Sequence, residues 1–192
     1  MSDGPSALVP PVQAAGPLLD AVALRRTIVR LAHEIVETNA GTEGLVLVGI
    51  VRRGATIARR LADAIEGFEE TRPAVGVLDV TMHRDDFGAR GLKHSPRPSD
   101  LPNIEDRTVV LVDDVLFTGR TVRAALDALN DFGRPRQVRL LVLVDRGHRE
   151  LPIRADMVGK NIPTAKQDDV QVLLEEEDGR DAVVVVPGRG QG

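Results

Sequence analysis

Between Asp20 and Thr38 apolar residues return at helical spacing. Leu24, Ile28, Leu31 and Ile35 form one stripe with Val29, Ala32 and Val36 beside it, and Arg25, Arg26, Arg30, Glu34 and Glu37 fall outside. This spacing predicts an amphipathic helix. Leu45-Val46-Leu47-Val48-Gly49-Ile50 is instead apolar without interruption, the pattern of a strand covered on both faces. A helix is expected from about Ala55 to Glu66, strands at Val75–Met82, Thr108–Val112 and Val138–Val144, and a further helix over Thr121–Phe132, closed by Gly133. Val170–Leu174 and Ala182–Val186 read as a terminal strand pair. Helix and strand therefore alternate, which predicts an α/β fold: a mostly parallel sheet flanked by helices, with ligands bound beyond the carboxyl ends of the strands. No internal repeat is visible.

Two segments break the alternation. Arg84 to Arg107 is polar, contains Pro and Gly, has no periodicity, and is longer than a passive connection usually is; it reads as a mobile lid. Residues 145–169 read as a second irregular stretch. Residues 1–18 carry Pro, Ala and Gly but no Lys or Arg, and are expected to form a disordered tail. One domain is expected over residues 19–186, with a loose end at 187–192.

Composition narrows the chemistry. With no cysteine in 192 residues, disulfides, thiolate nucleophiles and cysteine-ligated metals are excluded. Four Phe with no Trp or Tyr leave almost nothing for an aromatic base-stacking platform. No apolar run reaches the length of a membrane span, and the chain is read as cytoplasmic. The net charge of -4 gives no global attraction to nucleic acid, yet charge is unevenly placed. From Arg134 to Lys160 seven bases face three acids, whereas Ala165 to Asp181 holds two bases and seven acids. One basic face can thus attract a phosphate backbone.

The most informative stretch runs from Val109 to Thr121: a buried strand, the acids Asp113 and Asp114, a turn Val115-Leu116-Phe117-Thr118-Gly119-Arg120, and a helix start at Thr121. Thr118 and Thr121 offer hydroxyls, Gly119 admits close backbone approach, and the amides opening the helix point partial positive charge at an anion. Two adjacent acids would repel a bare phosphate, so they suit hydroxyls, a metal or developing positive charge. A sugar phosphate satisfies both halves. A response-regulator receiver also sets paired acids after an apolar strand, but near the chain start and without this loop.

This segment resembles the phosphoribosyl pyrophosphate signature of the type I phosphoribosyltransferases. The resemblance implies that fold, with a flexible hood loop. It implies that Thr118 to Thr121 hold the 5′-phosphate within a nucleotide-binding stretch of residues 115–121, that Asp113 and Asp114 meet the ribose hydroxyls, and that Mg2+ is held mainly through the substrate pyrophosphate, with no direct protein ligand. The turn after the first core strand, with Arg52, Arg53 and Gly54, is similar to the family's pyrophosphate loop. A cis non-proline peptide is expected there between Arg52 and Arg53. Arg84, after His83 and before Asp85 and Asp86, becomes a pyrophosphate ligand at the mouth of the hood.

The run from Val144 to Thr164, with His83-Arg84-Asp85-Asp86 and Arg30-Leu31-Ala32-His33-Glu34-Ile35, is similar to the branch of this family that regulates bacterial pyrimidine operons and also acts as uracil phosphoribosyltransferase. The resemblance spans about Leu19 to Val186. It implies a base pocket at Asp145, Arg146 and the backbone near Val170, with UMP or UTP as a signal in the same site. It also implies a homodimer or larger homo-oligomer that binds pyr leader messenger RNA, with Arg30, His33, Arg149, Arg154 and Lys160 at the RNA face. This chain departs from the branch at His83 and Phe117, where Tyr is usual, and at Val29, where a hydroxyl residue is usual. The sugar-phosphate motifs do not choose among bases, so a phosphoribosyltransferase for purines or orotate with no RNA role remains the alternative.

Overall fold

The computed structural model describes residues 16–81 and 98–188. Helix α1 (Ala21–Asn39) starts where the side chain of Asp20 accepts a hydrogen bond from the Ala23 amide at 2.8 Å, and stops at Ala40 in the left-handed region. It is followed by β1 (Leu45–Ile50), α2 (Arg53–Glu69), β2 (Ala74–Leu78), β3 (Thr108–Leu116), α3 (Arg120–Leu129), β4 (Gln137–Asp145), β5 (Met157–Asn161), β6 (Asp169–Leu173), the single turn α4 (Glu175–Asp178) and β7 (Ala182–Val186). Five strands form one parallel sheet in the order β2-β1-β3-β4-β5, and β6 and β7 pair antiparallel as a separate ribbon.

The uninterrupted apolar runs follow from the sheet's two covered faces. Leu45 and Leu47 of β1, Val110 and Val112 of β3, and Leu141 and Leu143 of β4 share a core with α1, α2 and the β6–β7 ribbon. The alternate residues Val46, Val48, Val109, Leu111, Leu140 and Val142 pack with α3 on the other side. A period of two with both phases buried leaves no polar position inside the strands. None of the described helices is long and apolar enough to cross a membrane.

Several boundaries differ from the sequence expectation. β2 ends at Leu78 rather than Met82, because side chains take over the backbone: Asp79 N donates to Ser99 Oγ and Thr81 N to Asp79 Oδ1. β3 runs on past Val112 through both acids, since its register with β4 continues from Thr108↔Gln137 to Leu116↔Asp145. Residues 145–169 are not wholly irregular: β5 adds the fifth strand, with Arg30 of α1 donating to the carbonyls of Val158 and Gly159 on it. The end of the expected lid is packed, with Ile104 fully buried and Val77 bridged to Asp100. His83, Arg84, Asp85 and Asp86 lie outside the described residues. Leu18, assigned to the tail, donates its N–H to Val183 O on β7.

Candidate functional site

The carboxyl ends of β1, β3 and β4 open onto one edge of the sheet, and each feeds a loop that the sequence marked. At the end of β1 the chain must reverse sharply into α2. A Cβ on Gly49 would lie 2.4 Å from Ala55 Cα, and one on Gly54 2.4 Å from Val112 O, so the turn is possible only with glycine at both places. The first turn of α2 thereby rests directly against β3 beside Asp113. The cis peptide of this turn joins Val51 and Arg52, one bond earlier than the sequence suggested. Arg53 already belongs to the regular first turn of α2, so the irregular residues are Val51 and Arg52.

Asp113 and Asp114 lie near the carboxyl end of β3, where the alternation of faces breaks: Val110 and Val112 share their core with Val115, and Val109 and Leu111 share theirs with Leu116. Asp113 is 7% exposed, lines the cavity on the α3 side, and its Oδ1 accepts the Asp114 amide at 2.9 Å. Asp114 is less buried, and its Oδ1 accepts the Val115 amide at 2.9 Å.

On the α3 side a cavity of about 400 Å³ is lined by Asp113, Val115, Leu116, Phe117, Thr118, Gly119, Arg120 and Thr121, with Val122, Glu150 and Lys166 closing it. The loop that forms it is held from behind. The amides of Glu150 and Leu151 donate to Thr118 O at 3.0 and 3.2 Å, and Arg120 Nε donates to Glu150 Oε2 at 3.0 Å. Gly119, at φ 92°, is the N-cap of α3 and brings no side-chain acceptor to the first helical amides. Thr118 Oγ1 accepts the Arg120 amide at 3.4 Å, and the amides of this turn concentrate positive partial charge at the helix start, an arrangement able to seat an anion. Glu150 and Lys166 are the walls that pattern reading missed, because they lie in an aperiodic segment; Lys166, a cation facing a suspected phosphate cup, is the signal that was there.

The β4 loop is built around two arginines. Arg146, 5% exposed, donates to Thr164 Oγ1 at 3.3 Å and to the carbonyls of Ala165 and Lys166 at 3.1 and 3.2 Å, and its guanidinium lies 4.0 Å from the centre of the Phe117 ring. Arg149 pairs with Asp145 and donates to Phe117 O at 2.9 Å and Ile153 O at 3.0 Å. Arg149, expected at the RNA face, is partly buried and ties the β4 loop to the phosphate loop. Val170 buries its side chain in the core, so only its backbone is available to a base pocket.

The guanidinium of Arg53, expected in the pyrophosphate loop, grips Asp178 of α4 through two bonds, Nη2 to Oδ1 at 2.8 Å and Nε to Oδ2 at 3.3 Å. Burial works to lower its pKa, but the bond to Asp178 and the charges of Asp178, Asp114 and Glu177 outweigh burial and hold it above the ordinary value. The acidic run clamps α2 further along: Glu177 accepts from Thr56 Oγ1 at 3.1 Å, and Glu176 and Asp181 both bind Arg60. Arg52 is exposed in the turn itself.

Of the other expected RNA-face residues, Arg30, His33 and Lys160 lie on one side of the molecule, with α1 beside β5. His33 stacks on Phe68 with ring centres 3.9 Å apart, and Lys160 Nζ donates to Leu18 O at 3.3 Å. Arg154 is exposed on the loop leading into β5.

The description "Phosphoribosyl transferase domain" matches residues 15–177. The chain is 58% identical over 171 residues to the bifunctional protein PyrR of Roseiflexus sp. (strain RS-1), covering 88% of this chain and 93% of that one. It is 57% identical over 176 residues to the bifunctional protein PyrR of Streptomyces coelicolor, covering 90% of each. Among solved structures, the hypoxanthine phosphoribosyltransferase of Trypanosoma cruzi superposes with a TM-score of 0.69 at 21% identity, over 92% of this chain and 98% of that chain, a likeness of fold. With the strand-end acids, the anion seat and the glycine-locked turn on one sheet edge, the chain belongs to the phosphoribosyltransferase family and, within it, to the bifunctional PyrR proteins.

Proposed function

We propose that this chain transfers the phosphoribosyl group of phosphoribosyl pyrophosphate to uracil, and that the UMP formed or bound in the same site controls binding to pyr leader messenger RNA. The observation that carries the first half is the seat of Thr118, Gly119, Arg120 and Thr121 on the helix start, immediately beyond strand-end Asp113 and Asp114. A phosphate monoester fits the seat, and the ribose ring then lies over the end of β3, within reach of both acids. The bond from C1′ to the pyrophosphate oxygen breaks as the bond from C1′ to the uracil nitrogen forms, and the proton of that nitrogen passes to the released pyrophosphate or to water. Positive charge develops on the ring between these events, so fixed carboxylates at the hydroxyl side favour it without any covalent intermediate.

The leaving pyrophosphate is met by Arg52 and the backbone of the Val51–Gly54 turn, with Arg53 as a fixed charge behind it. Arg84 is the further cation proposed for this role. Among the described residues no group of three or more His, Asp or Glu side chains stands ready to cage a metal, and the carboxylates at the strand end are hard oxygen donors. Such a set fits Mg2+ brought in largely on the substrate's own phosphates. When bound, that ion neutralises pyrophosphate charge. The base is proposed to lie against the β4 loop, where Asp145 is oriented by the Gly147 amide at 2.9 Å and by Arg149.

For the RNA half, Arg30, His33 and Lys160 give a cationic face on α1 and β5, with Arg154 beyond. Arg25 and Arg26 extend it along a shallow groove beside Val29. We place this face on a homodimer or larger assembly. A turnover assay across free bases with phosphoribosyl pyrophosphate and Mg2+ tests the enzyme: uracil is expected to be the base consumed, and turnover of hypoxanthine or orotate alone would move the reading to the alternative. RNA affinity measured with and without UMP tests the sensor, and equal affinities would refute it.

A further inference from the structure

Arg53 is a cation set between carboxylates. Asp178 holds it with two bonds from the cap side; Asp114 stands at the end of β3, against which the first turn of α2 packs, and its negative charge, with that of Glu177, reaches the guanidinium. Glu177 is engaged by Thr56. The first turn of α2 cannot retreat from β3, because Gly54 already packs against Val112 O and Asp113 Cα. A half-buried guanidinium that loses its partner seeks another acceptor, since leaving it unpaired is costly. With Glu177 engaged by Thr56, the carboxylate that remains at the strand end against which this turn packs is Asp114.

We propose that Asp178 is a positioning residue whose task is to hold the Arg53 guanidinium away from Asp114, keeping that carboxylate open to the ribose hydroxyls. The inference rests on the phosphoribosyl transfer proposed above. It assigns a function to the acidic run of residues 175–181: α4 is a single turn whose Asp178 is itself fixed, with Oδ2 accepting the Leu174 amide at 2.9 Å. Asp178 therefore presents its carboxylate to Arg53 from a rigid support and need not touch substrate.

The experiment is steady-state kinetics on full-length wild type, Asp178→Asn, Arg53→Ala, the double variant and Glu176→Gln, each checked by thermal melting. Asp178→Asn is isosteric and keeps an oxygen for the Leu174 amide, so the fold is expected to survive. Its KM for phosphoribosyl pyrophosphate is expected to rise about tenfold with KM for uracil unchanged, as one set of ribose contacts is lost. Adding Arg53→Ala to it is expected to bring that KM back to the Arg53→Ala value, because no guanidinium remains to cover Asp114. Glu176→Gln, which loosens the same cap through Arg60, is expected to leave both KM values as in wild type. An unchanged KM in Asp178→Asn, equal rises for both substrates, or no recovery in the double variant overturns the inference. A wild type inactive on every base with phosphoribosyl pyrophosphate overturns the underlying transfer reaction instead.

Discussion

Removing Arg60 tests whether the acidic cap is held by charge or only by apolar packing. Its guanidinium bridges Asp181 at 2.7 Å and also pairs with Glu176; side-chain exposures are 19% for Arg60, 15% for Asp181 and 49% for Glu176. Glu176 is half in solvent, and its share is about 0.5 kcal/mol. Asp181 is largely buried, and losing Arg60 leaves a carboxylate whose desolvation is offset by the Glu175 amide and the charge of Arg25, a loss of about 2 kcal/mol. Arg60→Ala is thus expected to lower Tm by roughly 5–10 °C for a domain of this size. Burial works to raise the Asp181 pKa, but the bonds from Arg60 and the Glu175 amide, with the charges of Arg60 and Arg25, together outweigh it and leave the carboxyl below its ordinary 3.8; the bond from Arg60 lowers Glu176 below 4.5. Carboxylates with lowered folded-state pKa values contribute stability that is complete above their unfolded values and disappears as pH falls through the folded ones. The Tm gap between wild type and Arg60→Ala should therefore be constant above about pH 5 and close progressively below 4.5 and then 3.8. Calorimetric melts over this range check it. A gap at neutral pH under about 1 °C, or one as large at pH 2.5 as at pH 7, would refute the ionic account.

Asp114→Asn is expected to lower uracil phosphoribosyltransferase turnover at least about tenfold with the circular dichroism spectrum unchanged, since it removes charge beside the developing cation; wild-type turnover would count against the assignment. In Gly54→Ala the new Cβ would sit 2.4 Å from Val112 O, so backbone must move, with an expected loss of about 2–3 kcal/mol in denaturant unfolding. A variant as stable as wild type would mean the turn has slack. Phe117→Ala removes the ring that lies 4.0 Å from the Arg146 guanidinium, and UMP affinity measured by titration calorimetry is expected to weaken by roughly 1–2 kcal/mol. Unaltered affinity would detach the stack from ligand binding.

What the sequence reveals is what local periodicity and short-range chemistry encode. The parallel strands at Leu45, Thr108 and Val138 are legible because burial on both faces makes their centres apolar without interruption, and the phosphate loop is legible because strand, acids, Gly119 and helix start are contiguous. β5 is not: Met157-Val158-Gly159-Lys160-Asn161 has too little apolar content to declare a strand, and it exists because β4 offers it a free edge. The partners of the arginines are equally hidden. Arg53 and Asp178 are 125 residues apart, and nothing near either residue says that the Arg53 guanidinium is spoken for. Arg149 reads as part of a basic run, yet the run divides in space, with Arg149 turned inward and Lys160 outward.

That division explains how one chain can serve both chemistry and recognition. The phosphate loop and the β4 loop are not independent: Arg149 bonds the Phe117 carbonyl while pairing with Asp145, and Arg146 covers the Phe117 ring while bonding the carbonyls of Ala165 and Lys166. A nucleotide whose phosphate sits in one loop and whose base meets the other therefore engages a single braced unit. β5 leaves this unit directly, pairing along β4 up to Asp145↔Asn161, and its far side meets α1 through Arg30 at Val158 and Gly159. The same short strand thus has the nucleotide loops at its end and the cationic face along its edge, so occupancy of the site and the posture of Arg30 and Lys160 share one mechanical support. A shift of β5 by a fraction of an ångström would alter the carbonyl contacts of Arg30, while on its other flank α1 is braced against α2 through the His33–Phe68 stack.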